Sequence, residues 1–156
     1  MPEGFHDVAW LARTRDQGDV SAWLERLPYA RHIGVSASRD AAGDGLVFRL
    51  EPHEHNVGNI LLPALHGGVV AAFMETAGTL DLMFSAREPR LPRIVDFSID
   101  YLRTARVVPT YARCQLLREG RRLANVQVTA WQEAEDQPVA TARLHLVLAT
   151  PEPSDA

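Results

Sequence analysis

The apolar and polar positions divide the chain into an N-terminal helical part, one long apolar segment and a C-terminal part with strand-like alternation. From about residue 5 to 27, apolar residues recur at helical intervals, which predicts short helices separated near Gly18. Residues 33–38 and 46–50 then predict a hairpin, because they flank a loop rich in Gly and Asp.

The segment from Val69 to Ala86 is apolar on every side of a helix. A helix that is apolar all round is buried, so we expect a central buried helix over about 68–86. Charged and proline residues interrupt the wider apolar stretch around it, which makes the stretch too polar to span a bilayer.

The C-terminal half predicts four strands. Apolar and polar residues alternate over 95–101, and three more strand-like segments follow at 110–118, 123–133 and 139–149. Strands gathered after one buried helix and joined by short turns indicate an α+β fold, a long antiparallel sheet wrapped around that helix. The predicted divisions are an N-terminal helical segment, a main domain and a loose tail: 1–28, 29–150 and 151–156.

Composition fits one globular domain of 156 residues, 46% of them apolar and 23% charged. The net charge of −4 gives nucleic acid no general attraction. All 16 basic residues are Arg, which excludes a lysine Schiff base and a phosphate-binding P-loop lysine. The first residues do not resemble a signal peptide, so we expect a cytoplasmic protein with no membrane or nucleic-acid partner.

Gly67 and Gly68 directly precede the apolar helix. The first N–H groups of a helix lack partners within it, and with the helix dipole they favour negative charge. Such a place can stabilise the oxyanion that forms during acyl transfer. The alternative is that the two glycines only shape a turn.

Glu75 is the only ionisable residue between His66 and Asp81. Its helical neighbours are small, so its carboxylate would face a space rather than a packed wall. A poorly hydrated carboxylate suits a general base or a nucleophile. The alternative is a solvent-facing Glu at one edge of the helix.

The two features lie on one helix but not at one point. Glu75 follows Gly67 by eight residues, which is about 12 Å along the helix axis. Two antiparallel copies of the helix would bring each N-terminus beside the other's middle. This mechanism therefore requires a dimer with two sites related by two-fold symmetry.

Four motifs together resemble the hotdog-fold acyl-CoA thioesterases, and most closely their phenylacetate-pathway branch. These motifs are Asn59, His66-Gly67-Gly68, Glu75-Thr76-Ala77 and the strand 95–103. The resemblance runs from about residue 30 to 149. This sequence has Glu75 where the branch commonly has Asp, and Asn59 stands seven residues before the His rather than six.

The resemblance implies that Glu75 activates water or attacks the thioester directly, and that the N–H of Gly67 or Gly68 polarises the carbonyl. The residues that would orient the thioester or hold the water are Asn59, His66 and Thr79. We expect Tyr101 to serve in packing.

The expected function is hydrolysis of an acyl-CoA thioester to a carboxylic acid and free CoA, by a homodimer or homotetramer without a metal or cofactor. In an acidic protein the CoA phosphates need local guanidinium groups, and the candidates are Arg103, Arg106, Arg121 and Arg122. A hotdog acyl-thioester hydratase or dehydratase, and a non-catalytic acyl-CoA-binding protein, are the alternatives.

Overall fold

Three short helices precede the sheet in the computed structural model, which describes residues 7–43 and 45–149 apart from the side chain of Val8. They are α1 (Val8–Asp16), α2 (Val20–Glu25) and α3 (Pro28–Ile33). Gly18, with a φ of 70°, separates the first two as predicted. The predicted tail, 151–156, lies outside the described residues.

The third helix corrects the predicted end of the helical segment at residue 28. Pro28 begins α3 instead of ending the helical region, because proline suits the first helical position. Gly34 ends the helix in the left-handed conformation, with a φ of 83°. The hairpin strand expected from residue 33 therefore begins at Val35.

The main sheet has six antiparallel strands, in the order β1-β2-β6-β7-β8-β5. The strands are β1 (Val35–Arg39), β2 (Leu46–Leu50), β5 (Pro92–Tyr101), β6 (Thr110–Glu119), β7 (Leu123–Trp131) and β8 (Ala140–Leu148). A separate small hairpin, for which the sequence predicts no strands, follows β2 and comprises β3 (Val57–Asn59) and β4 (Ala64–Leu65). The antiparallel α+β prediction is confirmed.

The predicted central helix is α4 (Gly67–Ser85), which packs on the sheet through fully buried residues such as Phe73 and Met74. Gly78 sits where a Cβ atom would lie 2.9 Å from a methyl group of Leu144. Glycine here lets the helix lie close to the strands beneath it.

The N-terminal helices contact α4 and β1. Trp23 is almost fully buried there, and its indole N–H donates to the Thr14 hydroxyl at 2.6 Å. This hydrogen bond satisfies the polar end of a large apolar side chain. None of the described helices has the length and apolar character needed to cross a membrane.

β5 forms one border of the main sheet. It pairs with β8 on one side, and within residues 7–43 and 45–149 no strand pairs with its other side. A ten-residue strand with an open border can accept another strand. The end of β5 at Tyr101 lies beside the start of β8, on the same side of the molecule as the beginning of α4.

Candidate active site

The loop before α4 is held by hydrogen bonds from several directions. The N–H of Leu65 donates to the carbonyl of Ala105, and the N–H of His66 donates to that of Asn56, each at 2.8 Å. Asn56 is fully buried, and its amide nitrogen donates to the carbonyl of Ile33 at 2.8 Å. These contacts fix His66 as the residue that caps α4.

The hydrogen bonds at this helix end distinguish the two glycines. The N–H of Gly68 donates to Nδ1 of His66 at 2.9 Å. The N–H groups of Val69 and Val70 both donate to the His66 carbonyl, at 3.0 and 3.1 Å. The N–H of Gly67 has no hydrogen-bond partner among the described residues.

The direction of that free N–H follows from peptide geometry. The His66 carbonyl points into the helix, toward Val69 and Val70. In a trans peptide the C=O and the following N–H point in opposite directions, so the Gly67 N–H points out of the helix end. A free donor at the positive end of the helix dipole suits a developing negative charge.

The same geometry sets the proton position on His66 in its neutral form. Because Nδ1 accepts from Gly68, the ring proton of the neutral imidazole lies on Nε2. The side chain is exposed, so the Nε2–H can donate to a ligand at the helix end. The structure thus gathers His66, Gly67 and Gly68 at one place.

Glu75 is exposed on α4, and the helix is continuous from Gly67 to Ser85. The two positions are therefore about 12 Å apart along the axis, as expected from the sequence. Thr79 donates its hydroxyl to the Glu75 carbonyl at 2.9 Å. In this single chain the Glu75 carboxylate therefore lies in solvent, which is the alternative that the sequence left open.

Asn59 is the exposed last residue of β3, directly before the turn to β4. Its side-chain oxygen accepts from the N–H groups of Leu61 and Leu62, at 3.0 and 3.1 Å. The carbonyl end of the amide thus shapes the turn, and only the amide nitrogen remains for a ligand. Its orienting role stays a prediction.

A cavity of about 490 Å³ opens beside Gly67. Tyr101, Arg103 and Thr104 contribute polar side chains to its wall, and the other side chains that line it are apolar: Ala64, Leu65, Val70, Leu102, Ala105, Val139 and Ala140. The Tyr101 hydroxyl donates to the Gly67 carbonyl at 2.7 Å, a contact that its place in an alternating strand did not indicate. A largely apolar cavity beside a free donor can receive part of an acyl thioester.

The four predicted phosphate contacts do not form one group. Arg106 is paired with Glu133, and Arg103 donates to the Pro138 carbonyl at 2.6 Å. Arg121 and Arg122 line a cavity of about 270 Å³ together with Arg118, at the turn between β6 and β7. Those last three form no ion pair within the described part of the chain.

Asp81 is a further titratable group on α4, on the side that faces the sheet. Burial raises the pKa of its carboxyl to about 6. It lines a cavity of about 320 Å³ with Cys114, whose pKa is raised by burial and by the nearby Asp81 carboxylate. The sequence pattern gave no sign of this pair, because it comes from two elements joined only in the fold.

Comparison with known proteins agrees with this fold. A family profile described as the thioesterase superfamily matches residues 62–139, which include α4 and β5. The chain belongs to that family and is a thioesterase, which confirms the class of enzyme and the hotdog fold predicted from the sequence. A comparison with curated protein sequences gives no significant match.

Several solved structures are also similar to this chain. A protein from Chromobacterium violaceum is 38% identical, with a TM-score of 0.73 over 92% of this chain and 99% of that one. A thioesterase from Haemophilus influenzae is 22% identical, with a TM-score of 0.73 over 85% and 90%. A phenylacetic acid degradation-related protein from Ralstonia eutropha JMP134 is 20% identical, with a TM-score of 0.68 over 82% and 98%. The last two share the fold with this chain.

Proposed function

We propose that this thioesterase hydrolyses acyl-CoA to a carboxylic acid and free CoA, at two sites that each join Gly67 of one protomer to Glu75 of its partner. The observation that carries the proposal is the free Gly67 N–H, which points out of a long helix that bears an exposed carboxylate two turns later. Donors fixed in place before the reaction are the main electrostatic aid to acyl transfer.

The chemistry follows from these groups. The thioester oxygen accepts a hydrogen bond from the Gly67 N–H, and the His66 Nε2–H is a second donor at the same helix end. Glu75 either removes a proton from the attacking water or bonds to the carbonyl carbon itself and is later released by water. In both routes the C–S bond breaks, CoA leaves as the thiolate and takes a proton, and the acyl carbon gains the oxygen of water.

A two-fold dimer completes the site because one chain keeps its two halves about 12 Å apart. Two features of the chain support such a dimer. The free border of β5 can pair with the same strand of a partner, and the exposed side of α4 around Glu75 carries small residues, Ala71 and Ala72, that allow close helix contact. Such pairing would also remove solvent from the Glu75 carboxylate. A tetramer would be built from two of these dimers.

The arginines at the β6–β7 turn are the better candidates for the CoA phosphates. The N–H of Arg87, just beyond α4, donates to Glu119 at 3.4 Å, so the end of the helix lies beside this turn. From Glu75 to Ser85 the helix extends about 15 Å in that direction. Arg121 and Arg122 have no carboxylate partner in the described residues, whereas Glu133 already neutralises Arg106.

The central test is Glu75→Gln, with thiol release measured on a panel of aromatic, short-chain and medium-chain acyl-CoAs. We expect kcat to fall by about 10² to 10⁴, because the amide can neither accept the proton nor attack. Folding should be unchanged, since the side chain is exposed. Glu25→Gln is the matched control on another helix, and it should retain full activity.

Four results would each contradict the proposal or part of it. Wild-type turnover in Glu75→Gln would show that the Glu75 carboxylate takes no part in the reaction. Hydration of an enoyl-CoA with no thiol release would indicate a hydratase, and tight binding with no product from any acyl-CoA would indicate a binding protein. Equal KM values for acyl-CoA and the matching acyl-pantetheine, which lacks the phosphates, would show that the arginines do not bind the CoA phosphates.

A further inference from the structure

We propose that Tyr101 is a positioning residue that holds the Gly67–Gly68 peptide, and through it the free Gly67 N–H, in the orientation that polarises the thioester. The inference rests on the proposed function. It assigns a role in catalysis to a side chain that the sequence pattern places in packing.

The contact is close and specific. Tyr101 ends β5, and its hydroxyl donates to the Gly67 carbonyl at 2.7 Å. A Cβ atom on residue 67 would lie 3.2 Å from this oxygen and 3.3 Å from the ring carbon that bears it. Glycine at position 67 therefore leaves the room in which the tyrosine can approach the backbone.

The peptide between the two glycines is held at both of its ends. Its carbonyl, on Gly67, accepts from Tyr101, and its N–H, on Gly68, donates to Nδ1 of His66 at 2.9 Å. Because the peptide is planar and trans, these opposed bonds fix the rotation of the whole unit. The Gly67 N–H is joined to one end of this unit through a single α-carbon.

Two adjacent glycines would otherwise be the most freely rotating part of the helix end. A donor that must find its direction during the reaction stabilises the transition state less than one that is already fixed. Val69 and Val70 already hold the His66 carbonyl. The Tyr101 hydroxyl adds a restraint on the next peptide, on the other side of the Gly67 α-carbon. Its proton is already engaged with Gly67, so it acts through the peptide rather than as a second donor to the substrate.

The test is Tyr101→Phe, which keeps the ring and removes the hydroxyl. We expect kcat for acyl-CoA to fall about tenfold while KM changes less than twofold and the melting temperature falls by no more than about 4 °C, because the side chain is exposed and only one hydrogen bond is lost. The amide signals of Gly67 and Gly68 in a ¹⁵N-labelled sample should shift. Tyr29→Phe, also at an exposed tyrosine, is the control and should change none of these.

Each outcome decides between two explanations. An unchanged kcat or unshifted Gly68 amide signals would overturn the positioning role. A fall in kcat that comes with a fall in melting temperature well beyond the loss of one hydrogen bond would overturn it too, because general destabilisation would then explain the loss of activity. If Glu75→Gln keeps full activity, the proposed function fails while the amide signals still decide whether Tyr101 holds the peptide. If only Tyr101→Phe keeps full activity, the positioning role fails and the proposed function stands.

Discussion

Gly67 has the backbone donor on which the proposed chemistry depends, and its position lets that donor be deleted by a side-chain change. It is the first residue of α4, where proline is well tolerated. His66 before it has a ψ of 129°, which is the extended conformation that a following proline requires.

We therefore expect Gly67→Pro to fold and to lose kcat by about 10² to 10³, because proline has no N–H to offer the oxyanion. Gly67→Ala is the matched variant. It keeps the N–H and adds a Cβ atom 3.2 Å from the Tyr101 hydroxyl, so it should lose less activity than the proline variant. Steady-state kinetics at saturating acyl-CoA measure both. Equal activity of the two variants would show that the Gly67 N–H is not the oxyanion donor.

The environment of Asp81 makes stability depend on pH. Burial raises the pKa of this carboxyl from 3.8 to about 6, so the folded protein binds its proton more tightly than the unfolded chain does. Stability therefore falls as the pH rises from 3.8 to 6, and the full cost remains above pH 6.

The expected result for Asp81→Asn is a free energy of unfolding that is higher than wild type by up to about 3 kcal/mol at pH 8, with the gain shrinking below pH 6 and nearly absent near pH 4. Urea unfolding across that pH range measures it. Asp136→Asn, at an exposed turn, is the control and should show no such trend. A gain of equal size at every pH would mean that the charge of Asp81 is not its cause.

At the scale of elements, α4 and the strands of the main sheet were predictable because each buries a regular pattern of side chains. The apolar residues of α4 contact the sheet or the N-terminal helices, and β7 and β8 alternate between buried and less buried positions as their sequence does. Pro28 was misjudged because proline can either end a helix or begin one. Only the contacts of α3 with its neighbours decide between these two outcomes.

The candidate site likewise contains residues that the sequence predicts and contacts that it does not. The sequence places Gly67, Gly68 and Glu75 on one helix and predicts them as site residues, and their roles stay predictions. The contacts of the Tyr101 and Asn59 side chains could not be predicted in this way. The Tyr101 hydroxyl meets Gly67 across 34 positions of sequence, and the Asn59 oxygen is used within its own turn. A pattern gives the face on which a side chain lies, but not the group that it will meet there.

At the scale of the whole molecule, each proposed active site is formed by residues of two chains. Glu75→Gln and Gly67→Pro damage opposite halves of a site. In a mixed dimer of these two variants, one site combines the intact Gly67 of one chain with the intact Glu75 of the other, and the second site carries both changes.

Mixing the two inactive variants under conditions of subunit exchange should therefore restore activity to about a quarter of the wild-type value, since half of the dimers are mixed and each has one intact site. Each variant incubated with itself is the control. Persistent inactivity, with mixed dimers verified by native mass spectrometry, would place both halves of a site in one chain.

The free border of β5 gives this arrangement a further consequence. The strand that would join two subunits ends at Tyr101, whose hydroxyl donates to the carbonyl of Gly67 at the start of α4. An isolated subunit would lack the Glu75 carboxylate of a partner. Its β5, which carries Tyr101, would also have no strand paired to its free border. The activity per subunit would then fall on dilution, because dilution separates the dimer. The rate of thioester cleavage would therefore depend on the local concentration of the enzyme.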